Sequence, residues 1–472
     1  MGIFTEYMLA SSLHGAKYVV DREKYNRYER IFWTICIILS WVGSVILIMA
    51  SLDAFNNNAI SFVVESSYRD WDTDFPAVFI CENKNMDRVQ EAADRIFGED
   101  HDFTLEEVLS EIVYFRGESY HTIHECTGDV ENINERCILG NYSYYASLVR
   151  STCENTVSHC SWNDVPFDCC KYFLPISTEI GRCYALNSEQ TVKPKNFTRI
   201  SLNSNRYTGP GTLKIRVLTE SFMYTIGVYE VPNLVTPKTD ILQIDQFIHY
   251  KRQLSIKNVE NDPETKDVSI SQRKCRFPEE NYLEVHKYYS FSACSAQCRK
   301  DEQVRFCGCN SHVMPNTDPK SHCDINGLVC LNEHYEDLSI VIASWSKARK
   351  KRGVVCDCLP SCNEIDLVVV HETRDNIFDP SVDPYSIIEM SLSNLPTERY
   401  KRNVVRGKLD LVVSVGGSAG LFVGASLLSF VEIIYYFTIR AGLFSCLTSF
   451  GKKKKVNVED PEKIVDFTKG KF

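Results

Sequence analysis

Residues 31–52 read IFWTICIILSWVGSVILIMASL, 22 positions without a charged side chain. A helix rises by about 1.5 Å per residue, so a run of this length covers the ~30 Å hydrocarbon core of a bilayer. The stretch is therefore read as a transmembrane helix. A cleaved signal peptide is the competing reading. Against it, the 30 residues before the run carry Lys17, Arg22, Lys24, Arg27 and Arg30 and exceed an ordinary n-region, and the run itself outlasts an h-region.

A second apolar run, residues 411–439, reads LVVSVGGSAGLFVGASLLSFVEIIYYFTI and holds one charge, Glu432. Its 29 residues suffice to span a bilayer with tilt or with a break. Arg27 and Arg30 stand before the first run; Arg440 and the cluster Lys452, Lys453, Lys454 and Lys455 stand after the second. The positive-inside rule then puts both termini in the cytoplasm. The expected layout is a cytoplasmic segment 1–30, a membrane helix 31–52, an extracellular domain 53–410, a second membrane helix 411–439 and a cytoplasmic tail 440–472, in a multi-pass protein of the plasma membrane bathed in lipid. Residues 1–30 hold five basic and four acidic groups and residues 440–472 eight and four, so with a net charge of -10 the middle carries the acidic surplus. An acidic outer domain concentrates cations, although it also simply keeps a large domain soluble. The start MGIFTE has Glu6 where a myristoylation motif wants Ser or Thr, so no lipid anchor is assigned.

Twenty cysteines, mostly between Cys81 and Cys362, point to an oxidising compartment. Setting aside Cys36 in the first run and Cys446 beyond the second leaves an even number outside, enough for nine bridges. The densest group comprises Cys275, Cys294, Cys298, Cys307, Cys309, Cys323, Cys330, Cys356, Cys358 and Cys362. If its early and late members lie antiparallel, Cys294 faces Cys358 and Cys298 faces Cys356. Zinc is the rival chemistry for close cysteines, but the outer location, the scarcity of C-x2-C and the lack of paired histidines favour disulfides. Helices cross-linked in this way form a strut that carries displacement instead of unfolding locally.

Between the two runs the pattern is mixed. Residues 212–218, 224–231 and 366–370 are β-branched and partly alternating, which predicts strands. Residues 86–97, 105–114 and 338–352 have helical spacing. The fold class expected is a membrane protein with two transmembrane helices and a large disulfide-rich α+β extracellular domain. Two glycosylation sequons, at Asn141 and Asn196, fall in the outer segment.

Several motifs stand in a fixed order over nearly the whole chain. They are Ser12-Leu13-His14-Gly15 before the first run, Phe75-Pro76-Ala77-Val78-Phe79-Ile80-Cys81 after it, Gly181-Arg182-Cys183-Tyr184-Ala185-Leu186-Asn187, Tyr289-Ser290 with Cys294 and Cys298, and the block from Gly416 to Glu432. Together they resemble the degenerin/epithelial sodium channel family, most closely its insect pickpocket branch; the last block is the most specific, and Leu186 stands where the family has Phe. The resemblance implies a trimer, homomeric or with related subunits, with a finger, thumb, palm and knuckle layout. It also implies the pairs Cys81–Cys183, Cys275–Cys362, Cys294–Cys358, Cys298–Cys356, Cys307–Cys330 and Cys309–Cys323. The partners of Cys126, Cys137, Cys153, Cys160, Cys169 and Cys170 stay open.

Gly424-Ala425-Ser426 suits an ion filter: no bulky side chain, carbonyls freed if the helix unwinds, and a hydroxyl. The bland reading is a small-residue packing face through Gly416, Gly420 and Gly424. The resemblance favours the filter and implies sodium as the permeant ion and block by amiloride. Glu432, a lone charge in an apolar run, is a candidate second cation ring. Asp410 either attracts cations at the pore mouth or caps the helix. His14-Gly15 alone reads as a turn, and the resemblance makes it a cytosolic gating segment. Val413 stands where the family usually has a small residue, which implies constitutive current.

Other classes fit less well. A trimeric ATP-gated channel lacks the Gly424-Ala425-Ser426 block. A non-conducting auxiliary or receptor subunit keeps every motif and is told apart by expressing the chain alone. No G-x-S-x-G, H-E-x-x-H or phosphate-binding glycine loop is present, so no enzyme activity, cofactor, metal or nucleic-acid partner is expected. No motif names the stimulus. The close acids at residues 99–102 and at Glu279-Glu280 are proton-binding candidates or solvated surface.

Overall fold

The segment Ala77-Val78-Phe79-Ile80-Cys81 is apolar without alternation, the pattern of a strand covered on both faces. In the structure, a computed structural model that describes residues 3–66, 71–127, 137–138, 140–346, 352–381, 383–396 and 398–440, it forms the strand Ala77–Glu82, buried at all six positions. The chain divides into two compact units, one of Met1–Ala59 with Val405–Phe472, the other of Ile60–Val404. The Lys452 to Lys455 cluster and Cys446 lie outside the described residues.

In the larger unit, Ala77–Glu82 is the middle of a five-stranded antiparallel sheet ordered Ile241–Ile244, Ser221–Ile226, Ala77–Glu82, Gly181–Leu186, Leu174–Thr178. Ala77, Phe79 and Cys81 share one buried cluster with Val89 and Ala92 of the helix Met86–Phe97, Val108 and Leu109 of Phe103–Val113, and Ala293 of Phe291–Cys307. Val78 and Ile80 share another with Leu213, Ile215, Leu254, Ile388 and Met390 of a second sheet. The period of two along one strand thus serves two cores.

The second sheet has eight strands built around Ile248–Asn261. That strand runs parallel to Ser386–Leu392, with His249 opposite Ile387, and to Arg399–Val404, with Val259 opposite Tyr400. It runs antiparallel to Ile365–Asn376, with a register shift between Gln253 and Leu254. Ile60–Glu65 closes one end of the sheet against Arg399–Val404, and Val157–Trp162 with Val165–Phe167 closes the other. The unit is α+β.

Nine disulfides hold it. Cys81 and Cys183 are register partners on adjacent strands and are bonded. The helix Phe291–Cys307 sends Cys294 to Cys358, Cys298 to Cys356 and Cys307 to Cys330, and beyond it Cys309 meets Cys323. Cys275 joins Cys362. The six cysteines whose partners the sequence left open pair as Cys126–Cys137, Cys153–Cys170 and Cys160–Cys169. Each bridge removes disorder from the unfolded chain and stabilises by about 2–4 kcal/mol.

The helix Met86–Phe97 has the bounds expected, capped by the Asn85 side chain on the Arg88 N–H and stopped by Gly98 at φ 95°. The next helix, Phe103–Val113, starts two residues before expectation because Asp102 caps it. Two expectations need correction. Residues 338–352 are not one helix: Tyr335–Leu338 ends, and the strand Val341–Ala343 pairs in parallel with Val354–Cys356, residues 347–351 lying outside the described set. The β-branched Val341 and Ile342 and the tether of Cys356 to Cys298 override the helical spacing. The strand expected at 224–231 is Ser221–Ile226, and a turn from Gly227 to Glu230 follows. Of the close acids, Asp102 serves as that helix cap, while Glu280 accepts the Phe277 N–H at 2.9 Å and pairs with Arg273. Asn141 and Asn196 are exposed.

Among the described residues one ion pair is fully interior. Arg299 and Glu179 have side chains 2% and 1% exposed and form a two-point contact. Glu179 also accepts the Leu234 N–H at 2.7 Å, and Arg299 donates to the Leu338 carbonyl at 2.6 Å. Removing one partner strands a buried charge, so Glu179→Gln is expected to destabilise by about 3–5 kcal/mol. Thermal unfolding is the check, and a loss below about 1 kcal/mol would contradict the buried pair.

His101 joins the turn after Met86–Phe97 to the next helix. Its Nδ1 lies 2.7 Å from the Gly98 carbonyl and 3.4 Å from Asp94, and its Nε2 lies 2.9 Å from Glu106. Both ring nitrogens face acceptors, so the doubly protonated ring fits best, and the Gly98 hydrogen bond leads in raising its pKa. A raised pKa gives stability that is complete below the ordinary histidine value and lost as pH climbs through the raised one. The unfolding temperature of the wild type is therefore expected to fall relative to His101→Gln as pH rises above the ordinary histidine value of about 6.5. Parallel curves for the two proteins would count against the clamp.

Candidate functional site

In the smaller unit, the helix Arg27–Asn57 begins at a capping box between Asn26 and Glu29 and extends the 31–52 run by a turn at each end. Among the described residues it is the one unbroken helix long and apolar enough to cross a bilayer. The second run is not a single helix. Lys408–Val423 and Leu427–Arg440 meet at 71° across residues 424–426.

The sequence writes that break locally. Gly424 takes φ 71°, a conformation open to glycine, and its N–H closes the first half-helix on the Gly420 carbonyl at 3.0 Å. Ser426 then caps the second half-helix: its hydroxyl accepts the Ser429 N–H at 3.3 Å, and its own N–H reaches the Ser429 hydroxyl at 3.0 Å. Between a helix C-terminus and an N-terminus the chain exposes backbone oxygens that no helical N–H can reach.

The N-terminal segment is threaded onto this break. The His14 N–H donates to the Val423 carbonyl at 2.9 Å. A Cβ on residue 424 would lie 2.6 Å from the His14 ring, so only glycine admits this approach. Gly15, at φ 79°, sits against Ile37 and Trp33 of the long helix. The Ser12 and Ser429 hydroxyls are 2.7 Å apart, which extends the Ser426–Ser429 pair into a chain of three hydroxyls. Further along, Glu6 pairs with Arg440, and the Tyr7 ring packs edge-on against Tyr436 and Phe437. Gly43 lets Phe422 approach the long helix.

The structure thus gathers His14, Gly15, Gly424, Ala425 and Ser426 at one point. Asp410 is elsewhere, at the start of Lys408–Val423, where its carboxylate accepts the Gly407 N–H at 2.8 Å as a cap. Val413 is 63% exposed on the same half-helix. Glu432 lies on the second half-helix, and one of its carboxylate oxygens is buried without a hydrogen-bond partner among the described residues. Sequence reasoning missed Ser12, Ser429 and the Glu6–Arg440 pair. The S-x-x-S spacing of Ser426 and Ser429 was a readable cap signal, whereas contacts across more than 400 positions leave none. Among the described residues, the grouping of potential metal ligands is Cys307, Cys330 and His334, and its two sulfurs are bonded to each other.

The sequence profile described as amiloride-sensitive sodium channel matches residues 7–436. The chain is 22% identical over 475 residues to sodium channel protein Nach of Drosophila melanogaster, covering 92% of this chain and 87% of that one. It is 24% identical to pickpocket protein 28 of Drosophila melanogaster, covering 92% and 78%, and 21% identical to the bile acid-sensitive ion channel of Mus musculus, covering 92% and 86%.

The hydroxyl contact can be trapped. With Cys36 replaced by Ser, changing both Ser12 and Ser429 to cysteine is expected to give an oxidant-dependent link between their peptides, read by mass spectrometry. Correctly folded protein that never forms the link would show that the N-terminal segment does not lie on the break.

Proposed function

The chain belongs to the amiloride-sensitive sodium channel family, and on that premise we propose that it is a subunit of an amiloride-sensitive, sodium-permeable cation channel whose pore passes the break at residues 424–426. The family is one of ion channels of the membrane, not of enzymes. The proposed topology has two membrane-spanning segments, 31–52 and 411–439, cytoplasmic segments 1–30 and 440–472, and residues 53–410 outside the plasma membrane.

The observation that carries the reading is the break itself. Hydrocarbon offers no hydrogen bonds, so non-helical backbone at membrane depth persists only where protein covers it or water reaches it. The His14 N–H covers one carbonyl, that of Val423. The carbonyls and the Ser426 hydroxyl that remain are hard oxygen donors. Three copies about one axis give a ring able to replace part of the hydration of a small cation. A narrow ring of this kind passes sodium and excludes a bulky organic cation.

The other residues take roles around that ring. Glu432, with a carboxylate oxygen lacking a partner in an apolar segment, is the second cation site. Asp410 biases the mouth electrostatically while it caps its helix. His14 and Gly15 gate: withdrawing the N-terminal segment uncovers the Val423 carbonyl and frees Gly424 to change its backbone, so both states are defined by hydrogen bonds at one point. An extracellular stimulus acting on the disulfide-linked domain selects between them, and Val413 shifts the balance towards the open state.

Cells expressing the chain alone are expected to carry an inward current that disappears when sodium is replaced by a large organic cation and that amiloride blocks. Gly424→Ala, which strains the φ 71° backbone that shapes the ring, is expected to cut that current by more than about tenfold at unchanged surface expression. Surface protein without current under acid, osmotic and peptide challenge would reject the self-sufficient channel in favour of a non-conducting auxiliary subunit.

A further inference from the structure

We infer that the larger unit holds a binding site for a small organic cation, an aryl or arylalkyl ammonium, in a cavity between the loop that follows the strand Ser221–Ile226, the start of the helix Phe291–Cys307 and the start of the strand Ile365–Asn376. The cavity measures about 400 Å³, within the range of small-molecule sites. Its walls carry three aromatic rings, Tyr229, Phe291 and Trp345, and three carboxylates, Glu230, Asp240 and Glu364, with no Lys, Arg or His lining it among the described residues. Rings attract a cation through their faces and carboxylates through charge, so this combination selects an ammonium on a flat apolar body.

The two kinds of group hold different parts of the ligand. Trp345 is fixed by its indole N–H on the Cys358 carbonyl at 2.9 Å and leaves 58% of its surface open, ready to cover an apolar body. Glu230 is held in place by the Ser292 N–H at 3.0 Å and the Ser361 hydroxyl at 2.9 Å. Glu364 has no ion pair within reach among the described residues. Lost hydration raises the pKa values of Glu364 and Asp240; Arg402 lowers the first, while Thr239 and Arg252 lower the second. Carboxylates in that condition gain from a bound cation what solvent does not give them. An anionic or neutral ligand of the same shape gains nothing.

The site is read by binding and not by current, so its failure and that of the channel reading are separable. Full-length protein in detergent, titrated calorimetrically at fixed ionic strength with phenethylammonium, phenylacetate and 2-phenylethanol, is expected to bind the first saturably below about 1 mM and the others at least tenfold more weakly. The double variant Glu364→Gln, Asp240→Asn is expected to weaken phenethylammonium at least tenfold with its melting temperature retained, and Trp345→Leu to weaken it independently. The inference fails if wild type binds no amine up to about 10 mM, if the three ligands bind alike, or if the folded double variant binds as wild type does.

Discussion

Every backbone N–H and carbonyl removed from water needs a hydrogen bond, and in the smaller unit that constraint governs how the break at residues 424–426 can exist. A continuous helix through 411–439 would satisfy it automatically. Gly424 and Ser426 instead end one half-helix and begin the next, and the groups left over are met from a distance in sequence. His14 supplies an N–H to Val423, and Ser12 supplies a hydroxyl to Ser429. Glycine is required at 424 twice over, by φ 71° and by the His14 ring where a side chain would begin.

The larger unit solves a different problem. The strand Ala77–Glu82 of its five-stranded sheet is buried on both faces, so Ala77–Cys81 is apolar without a break and the strand belongs to two cores at once. The helices over one face are held mainly by packing into a shared core. Disulfides from Phe291–Cys307 and the Arg299–Glu179 pair fasten them at points where a rotation would break a covalent bond or strand a charge. The aromatic and acidic cavity lies where the loop after Ser221–Ile226, the start of Phe291–Cys307 and the start of Ile365–Asn376 meet.

Legibility in the sequence followed the range of the signal. Met86–Phe97 was readable because its cap, spacing and terminating glycine are all local. Residues 338–352 were misread because helical spacing in a short apolar segment is ambiguous, and the deciding contact, with Val354–Cys356, lies beyond the window. Asp410 allowed two roles; its hydrogen bond to Gly407 supplies the capping one without removing its charge from the helix start.

The sequence alone determined that the chain carries two long apolar runs, that the segment between them is oxidised and α+β, and that the second run contains a Gly-Ala-Ser block whose carbonyls are freed if the helix unwinds. Those properties are set by composition and by neighbours a few positions apart. Only the tertiary structure decided that the N-terminal segment completes the break, that Glu6 meets Arg440, and that three rings and three carboxylates from separate loops line one cavity. The reason is physical: each contact joins residues whose closeness is a property of the folded backbone, and nothing in either partner's local sequence specifies the other.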